Sequence, residues 1–280
     1  MSDGKPRYKL PPGSCDAHCH VFGPAARFPY APDRRYTPED APKEALAALH
    51  ARLGIERAVI VQASCHGTDN RAMLDAVASA PDRYRGVAIV DDGFTDSDFE
   101  ALHRGGVRGV RFNFVRRLVD VTPRHVLERI AARVAPLDWH IVVYFEMPDL
   151  PDFESFFTSL PTTVVVDHMG VPTVKKGIDD PENRRFLRML DTHRNIWSKV
   201  TCPERMTLAG PPYDDVVPFG RRLIEHFQDR VIWGTDWPHP NMKKEAPDDG
   251  VLVDWIPKVA PSAAEQKALL VDNPTRLYWM

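Results

Sequence analysis

The sequence predicts an α/β fold, a single (β/α)8 TIM barrel domain spanning residues 1–280, on three observations. Short runs rich in β-branched residues occur eight times along the chain. Segments of helical periodicity lie between most of them. Finally, His18 and His20 lie near one end of the chain and Asp236 near the other. They can share a site only if the first and last strands become neighbours, which a closed barrel provides.

The elements follow in order, each strand ending where polar or turn residues begin. A first strand at 14–21 is followed by a Pro-rich connection over 22–42 and a helix at 43–53. Strand 57–62 precedes helix 71–79, strand 85–90 precedes helix 96–103, and strand 106–112 precedes helix 123–134. Strands 140–145 and 162–167 follow with no helix expected between them. Helix 183–193, strand 196–200, a second Pro-rich connection at 208–218, helix 218–227 and strand 230–233 complete the count, and a last helix covers 263–270. No repeat, low-complexity tract or Gly/Ser linker divides the chain.

Composition narrows the function classes. At 280 residues and 43% hydrophobic content the chain can bury a sizeable core. A net charge of -3 with the signs interspersed offers no basic stripe, so no nucleic acid and no anionic membrane surface is expected as a partner. No run of about 18 apolar residues is present, and the first residues lack an apolar export segment. A cytoplasmic protein is expected, its four cysteines (Cys15, Cys19, Cys65, Cys202) reduced and without C-x-x-C spacing.

In a barrel the strand ends carry the site. There the sequence places His18 and His20, then Gln62, Ser64 and His66, then Arg111 and Asn113, Tyr144 and Glu146, Asp167 and His168, Cys202 and Arg205, and Asp236. Residues two apart in a strand share a face, so both imidazoles of Asp16-Ala-His-Cys-His enter one cavity while Cys19 faces the wall. His50, His103, His125, His193 and His226 lie on helices or loops and read as structural. Three imidazoles and a carboxylate suit two chemistries: ligation of one divalent metal by His18, His20, His168 and Asp236, or hydrolysis in which Asp236 takes a proton from water while the imidazoles polarise a carbonyl. The residues alone leave both open.

These motifs resemble the amidohydrolase superfamily, with His-x-His on the first strand, His on the sixth and Asp on the eighth. Arg111 stands where binuclear members carry a bridging Lys and Tyr144 where they carry a His ligand, which disfavours two metals. More closely, Asp16-Ala-His-Cys-His-Val-Phe-Gly, Val61-Gln-Ala-Ser-Cys-His-Gly-Thr-Asp-Asn, Arg111-Phe-Asn-Phe and Trp233-Gly-Thr-Asp-Trp-Pro-His-Pro-Asn resemble the 2-pyrone-4,6-dicarboxylate lactonase family. The resemblance implies a small dicarboxylate lactone as substrate, an open-chain 4-oxalomesaconate-type product, and a place in breakdown of lignin-type aromatic acids. It implies no cofactor and no metal, Asp236 as general base, and His18, His20 and His168 as carbonyl-binding groups. It also assigns substrate contacts to Arg111, Arg117, Arg205, Tyr36, Ser64 and Tyr144. Arginine suits a dianion because its planar fork meets a carboxylate bidentately. A charge inside the apolar strand run, as at Arg111, also needs a partner or a ligand. His66 lies near the same mouth and is a candidate assistant. The alternatives are a zinc-dependent hydrolase of muconolactone type, acting for instance on a sulfonated lactone, or a metal-dependent decarboxylase of the same superfamily. Oligomeric state has no signature in the sequence.

Overall fold

The computed structural model describes residues 5–242 and 245–280. Eight parallel strands form one sheet in chain order: β1 (Cys15–Cys19), β2 (Arg57–Val61), β3 (Tyr84–Ala88), β4 (Val107–Asn113), β5 (His140–Tyr144), β6 (Val164–Val166), β7 (Ile196–Lys199) and β8 (Val231–Ile232). Backbone bonds from β1 to the segment after β8 close the barrel. Ala17 N–H donates to Trp233 O (2.8 Å), Asp236 N–H to His18 O (2.7 Å) and His20 N–H to Trp237 O (2.7 Å). The eighth strand is shorter than the predicted 230–233 because Arg230 closes a 3-10 turn over Gln228–Arg230.

Helices α1 (Lys43–Leu53), α2 (Arg71–Ser79), α3 (Asp96–Arg104), α4 (Arg124–Val134), α5 (Leu150–Ser159), α6 (Pro181–Thr192), the one-turn α7 (Pro203–Met206) and α8 (Val217–Phe227) connect the strands. After β8 come α9 (Asp249–Val259), α10 (Ala263–Lys267) and α11 (Asn273–Tyr278). Helices α5 and α9 correct the sequence reading, which placed nothing there. Pro151 and three phenylalanines obscure α5, although a proline in the first turn costs no helical bond. Helix α9 carries Gly250 near its start and Pro257 inside it. The predicted final helix does not stop at 270: a π turn over Ala268–Asp272 carries it into α11. Among the described residues, no helix is long and apolar enough to cross a membrane.

Two apolar layers follow from strand alternation. Side chains such as Ile60, Val110 and Val143 pack outward against the helices, while Val59, Val87, Val142, Val165 and Ile232 fill the interior, where Tyr278 of α11 joins them. A register shift in β1 between Asp16 and Cys19 interrupts that alternation. Cys15 and Ala17 belong to the interior layer, Cys19 to the outer one, as predicted, and His18 and His20 turn into the site. Bulges of this kind re-aim side chains beside active sites.

Asp16 fastens the bulge. Its Oδ1 accepts the N–H groups of His18 (3.1 Å) and Thr235 (3.0 Å), and its Oδ2 accepts from Thr235 Oγ1 (2.6 Å) and meets His50 Nε2 at 3.2 Å. Gly234 lets the two ends approach, since a Cβ there would land on the His18 backbone nitrogen and 2.8 Å from Asp16 Oδ1. Gly234→Ala should therefore destabilise the fold by about 3 kcal/mol, the upper part of the overpacking range. A fall in the urea midpoint at unchanged slope is the expected result; an unchanged midpoint would remove this closure argument.

Candidate active site

Asp236 sits in the left-handed region (φ 65) just beyond β8, a conformation that aims its carboxylate back over the barrel. Oδ1 faces three imidazoles: His20 Nε2 at 3.3 Å, His18 Nε2 at 3.4 Å and His168 Nε2 at 3.9 Å. His168 reaches this point because the backbone after β6 turns through left-handed residues, His168 (φ 53), Met169 (φ 56) and Val171 (φ 51). The four groups singled out in the sequence thus converge.

Oδ2 of Asp236 is held by Arg205, whose Nε and Nη2 donate to it at 2.9 and 2.6 Å; Nη2 also donates to Pro240 O (2.8 Å). Burial alone would raise the Asp236 carboxyl. Arg205 foremost, then a hydrogen bond with His20, holds it well below the usual carboxylate range. Burial also pushes His168 down to about 4 against the pull of Asp236, so this ring is neutral near pH 7. His18 is likewise held low, by burial and then by Lys199.

The arginines are partnered inside the protein. Buried Arg111 donates through Nε (3.1 Å) and Nη2 (2.9 Å) to Asp167 Oδ2 and lies over the Tyr144 ring. Its burial is thus answered by a carboxylate of the protein. Half-exposed Arg117 meets Glu146 Oε1 at 3.2 Å. All three arginines, with Tyr36, Ser64 and Tyr144, nonetheless line one cavity together with His20, His168 and Asp236. His18 lies beneath it, fully buried. His66 does not join the lining; its Nδ1 faces Pro29 O (3.2 Å) and its ring packs on Tyr30. Cys202 Sγ is 3.0 Å from His168 Nδ1, but burial and then Asp236 hold its thiol far up, so it is no thiolate nucleophile.

Several polar groups here escaped sequence reasoning. Thr201 Oγ1 orients His168 through Nδ1 (2.7 Å). Asn241 lines the cavity. Lys199 is buried at the end of β7, with Nζ 2.9 Å from His18 Nδ1 and 3.1 Å from Asp167 Oδ1.

His18, His20 and Asp236 have the spacing of a site for one divalent cation. Their surroundings do not suit it. The Arg205 fork already neutralises Asp236, and the Lys199 cation lies 2.9 Å from His18 Nδ1, closer than the Asp167 Oδ1 acceptor at 3.2 Å that a metal-bound imidazole would use. The residues do not fit a zinc ion, and no step below runs through one.

Behind Arg205, buried His239 joins Asp249 (Nε2 to Oδ1, 3.0 Å) and Glu204 (Nδ1 to Oε1, 3.6 Å). Burial opposes its charge, but bonds to Asp249 and then Glu204 prevail and push it up to about 10. A raised folded value means stability fully present below the unfolded value, about 6.5, and lost as pH climbs toward about 10. The urea midpoint should therefore fall between pH 7 and 10, and His239→Gln should flatten that slope. An equal slope in the variant would assign the alkaline loss to another group.

Comparison with known proteins gives the family. The amidohydrolase family matches residues 15–279. A 2-pyrone-4,6-dicarboxylate hydrolase of Comamonas testosteroni is 59% identical over 98% of this chain and 93% of its own length. A 4-sulfomuconolactone hydrolase of Rhizobium radiobacter is 38% identical over 97% of this chain and 91% of its own. A crystal structure of a probable 2-pyrone-4,6-dicarboxylic acid hydrolase from Acinetobacter baumannii, with citric acid bound, superposes with a TM-score of 0.84 at 26% identity, covering 96% of this chain and 100% of that one. With eight parallel strands in order, the His-x-His pair on the first and the aspartate beyond the last, this chain belongs to the amidohydrolase family.

Proposed function

We propose that this protein is a lactone hydrolase that opens 2-pyrone-4,6-dicarboxylate to a 4-oxalomesaconate-type tricarboxylic acid, without a metal. One observation carries the reading: a carboxylate base ringed by three imidazoles shares a cavity with three arginines. The similarity to the Comamonas hydrolase supports the substrate. The citric acid held by the Acinetobacter protein supports a polycarboxylate pocket.

The substrate's two carboxylates meet Arg111, Arg117 and Arg205, with Tyr36, Ser64 and Tyr144 as neutral donors. A water hydrogen-bonded to Asp236 Oδ1 gives it one proton as the water oxygen adds to the lactone carbonyl. Imidazole N–H groups stabilise the oxyanion. The ring C–O bond then breaks, the departing enolate oxygen receives the proton, and the enol relaxes to the ketone. The net change is addition of one water. The same reading assigns the enzyme to breakdown of lignin-type aromatic acids inside bacterial cells, where buried thiols stay reduced.

The test is decay of the pyrone absorbance on mixing substrate with enzyme stripped of metal by chelator. Decay at full rate is the expected result. No decay with or without added zinc removes the substrate, and zinc-dependent decay removes the metal-free step. A 4-sulfomuconolactone sample run in parallel decides between the activities of the two relatives.

A further inference from the structure

Lys199 is wholly buried, and its Nζ meets His18 Nδ1 at 2.9 Å in hydrogen-bonding geometry. Asp167 Oδ1 lies 3.1 Å from Nζ and 3.2 Å from His18 Nδ1, in hydrogen-bonding geometry with neither, while Asp167 Oδ2 takes the Arg111 fork. An ammonium has three donors and no acceptor, so this contact has one direction: Lys199 donates and His18 Nδ1 accepts. A neutral imidazole carries one proton, which must then sit on Nε2. That atom is buried, has no hydrogen-bond partner among the described residues, and lies 3.4 Å from Asp236 Oδ1. His20 uses its Nδ1 the other way, as a donor to Val61 O (2.7 Å), and its Nε2 lies 3.3 Å from the same Asp236 oxygen. The two ring centroids are 5.0 Å apart.

We propose that Lys199 is a positioning residue that holds His18 as its Nε2–H tautomer, making this ring a hydrogen-bond donor to the reacting carbonyl and barring it as a metal ligand. His18 then donates to the developing oxyanion. The arrangement also links the anion pocket to the electrophile site, through Arg111, Asp167, Lys199 and His18. The catalytic half of this assignment rests on the lactone hydrolysis proposed above; the tautomer does not.

Two measurements test it. In ligand-free protein labelled with 15N-histidine, His18 is assigned by the signals lost in His18→Gln. The expected spectrum has a protonated Nε2 and a bare Nδ1 for His18; a His18 protonated at Nδ1 overturns the proposal. In Lys199→Met the proton should move to Nδ1, toward Asp167. With it, kcat should fall about 10²-fold, the loss of one oxyanion donor, and KM should stay within about threefold. Lys199→Gln, which keeps an N–H donor, should recover part of kcat. A Met variant with the wild-type tautomer and kcat also overturns the proposal, and if that variant does not fold, the wild-type spectrum decides alone. Because the spectrum needs no substrate, an inactive enzyme would fail the lactonase reading and leave the tautomer result standing.

Discussion

Asp236→Asn should lower kcat by about 10³-fold while leaving the protein folded. Loss of a general base costs about 10² to 10⁴ in rate. Several features place this case well inside that range. Oδ1 is aimed at the three imidazoles, and no other carboxylate lines the cavity among the described residues. Asparagine is the informative replacement because it tolerates the left-handed backbone at 236 and keeps the side-chain shape. Alanine would add backbone strain and take from the buried Arg205 fork the carboxylate it meets, confusing stability with chemistry. With Asn the Arg205 fork is released, so KM should hold steady or fall as the guanidinium becomes free for a substrate carboxylate. The measurement is pyrone decay under saturating substrate, with thermal unfolding as the control. Undiminished decay in a folded variant would end the role of Asp236 as base.

Much of the barrel was legible because it is written locally. A buried parallel strand needs an apolar run of a few residues, and the chemistry sits in the polar residues that end it. His18, His20, His168 and Asp236 could be placed together on that logic, without knowing a distance. The features that escaped depend on residues far apart in the chain. Lys199 follows Ile196-Trp197-Ser198 and reads as the solvated end of a strand. Its burial is explained only by Asp167 from the end of β6 and His18 from β1. The bulge in β1 is similarly silent, since Asp16, His50 and Thr235 that secure it lie on three separate segments. Helix α9 was hidden for a local reason, because Gly250 and Pro257 both read as breakers until packing of Leu252, Val253 and Ile256 overrides them. The arginines show the same division. Residue type pointed to an anion pocket, but that Arg205 lies on the base itself is a matter of tertiary geometry.

That placement makes Arg205→Met the second large effect, and a composite one. Losing a fork that meets a carboxylate removes charge-assisted bonds of about 1.5 to 3 kcal/mol each, so KM for the dicarboxylate should rise about 10²-fold. The same change removes the main charge that holds Asp236 down. The carboxyl therefore titrates at higher pH in the variant. The base must be ionised to act, so the acid limb of kcat/KM should shift to higher pH than in the wild type. The stability that the Arg205–Asp236 pair supplies, present above the unfolded carboxyl value of about 3.9 and lost as pH falls through the depressed folded one, should shrink with it. Arg205→Lys separates the two roles: a point charge still holds Asp236 low but cannot grip bidentately, so KM should rise while the acid limb stays near its wild-type position. A Met variant whose acid limb moves in kcat/KM but not in kcat would mean that the guanidinium leaves Asp236 in the substrate complex, before chemistry begins. In that case substrate itself frees the base, and the ion pair of the ligand-free protein is a resting lock that only a carboxylate-bearing lactone opens.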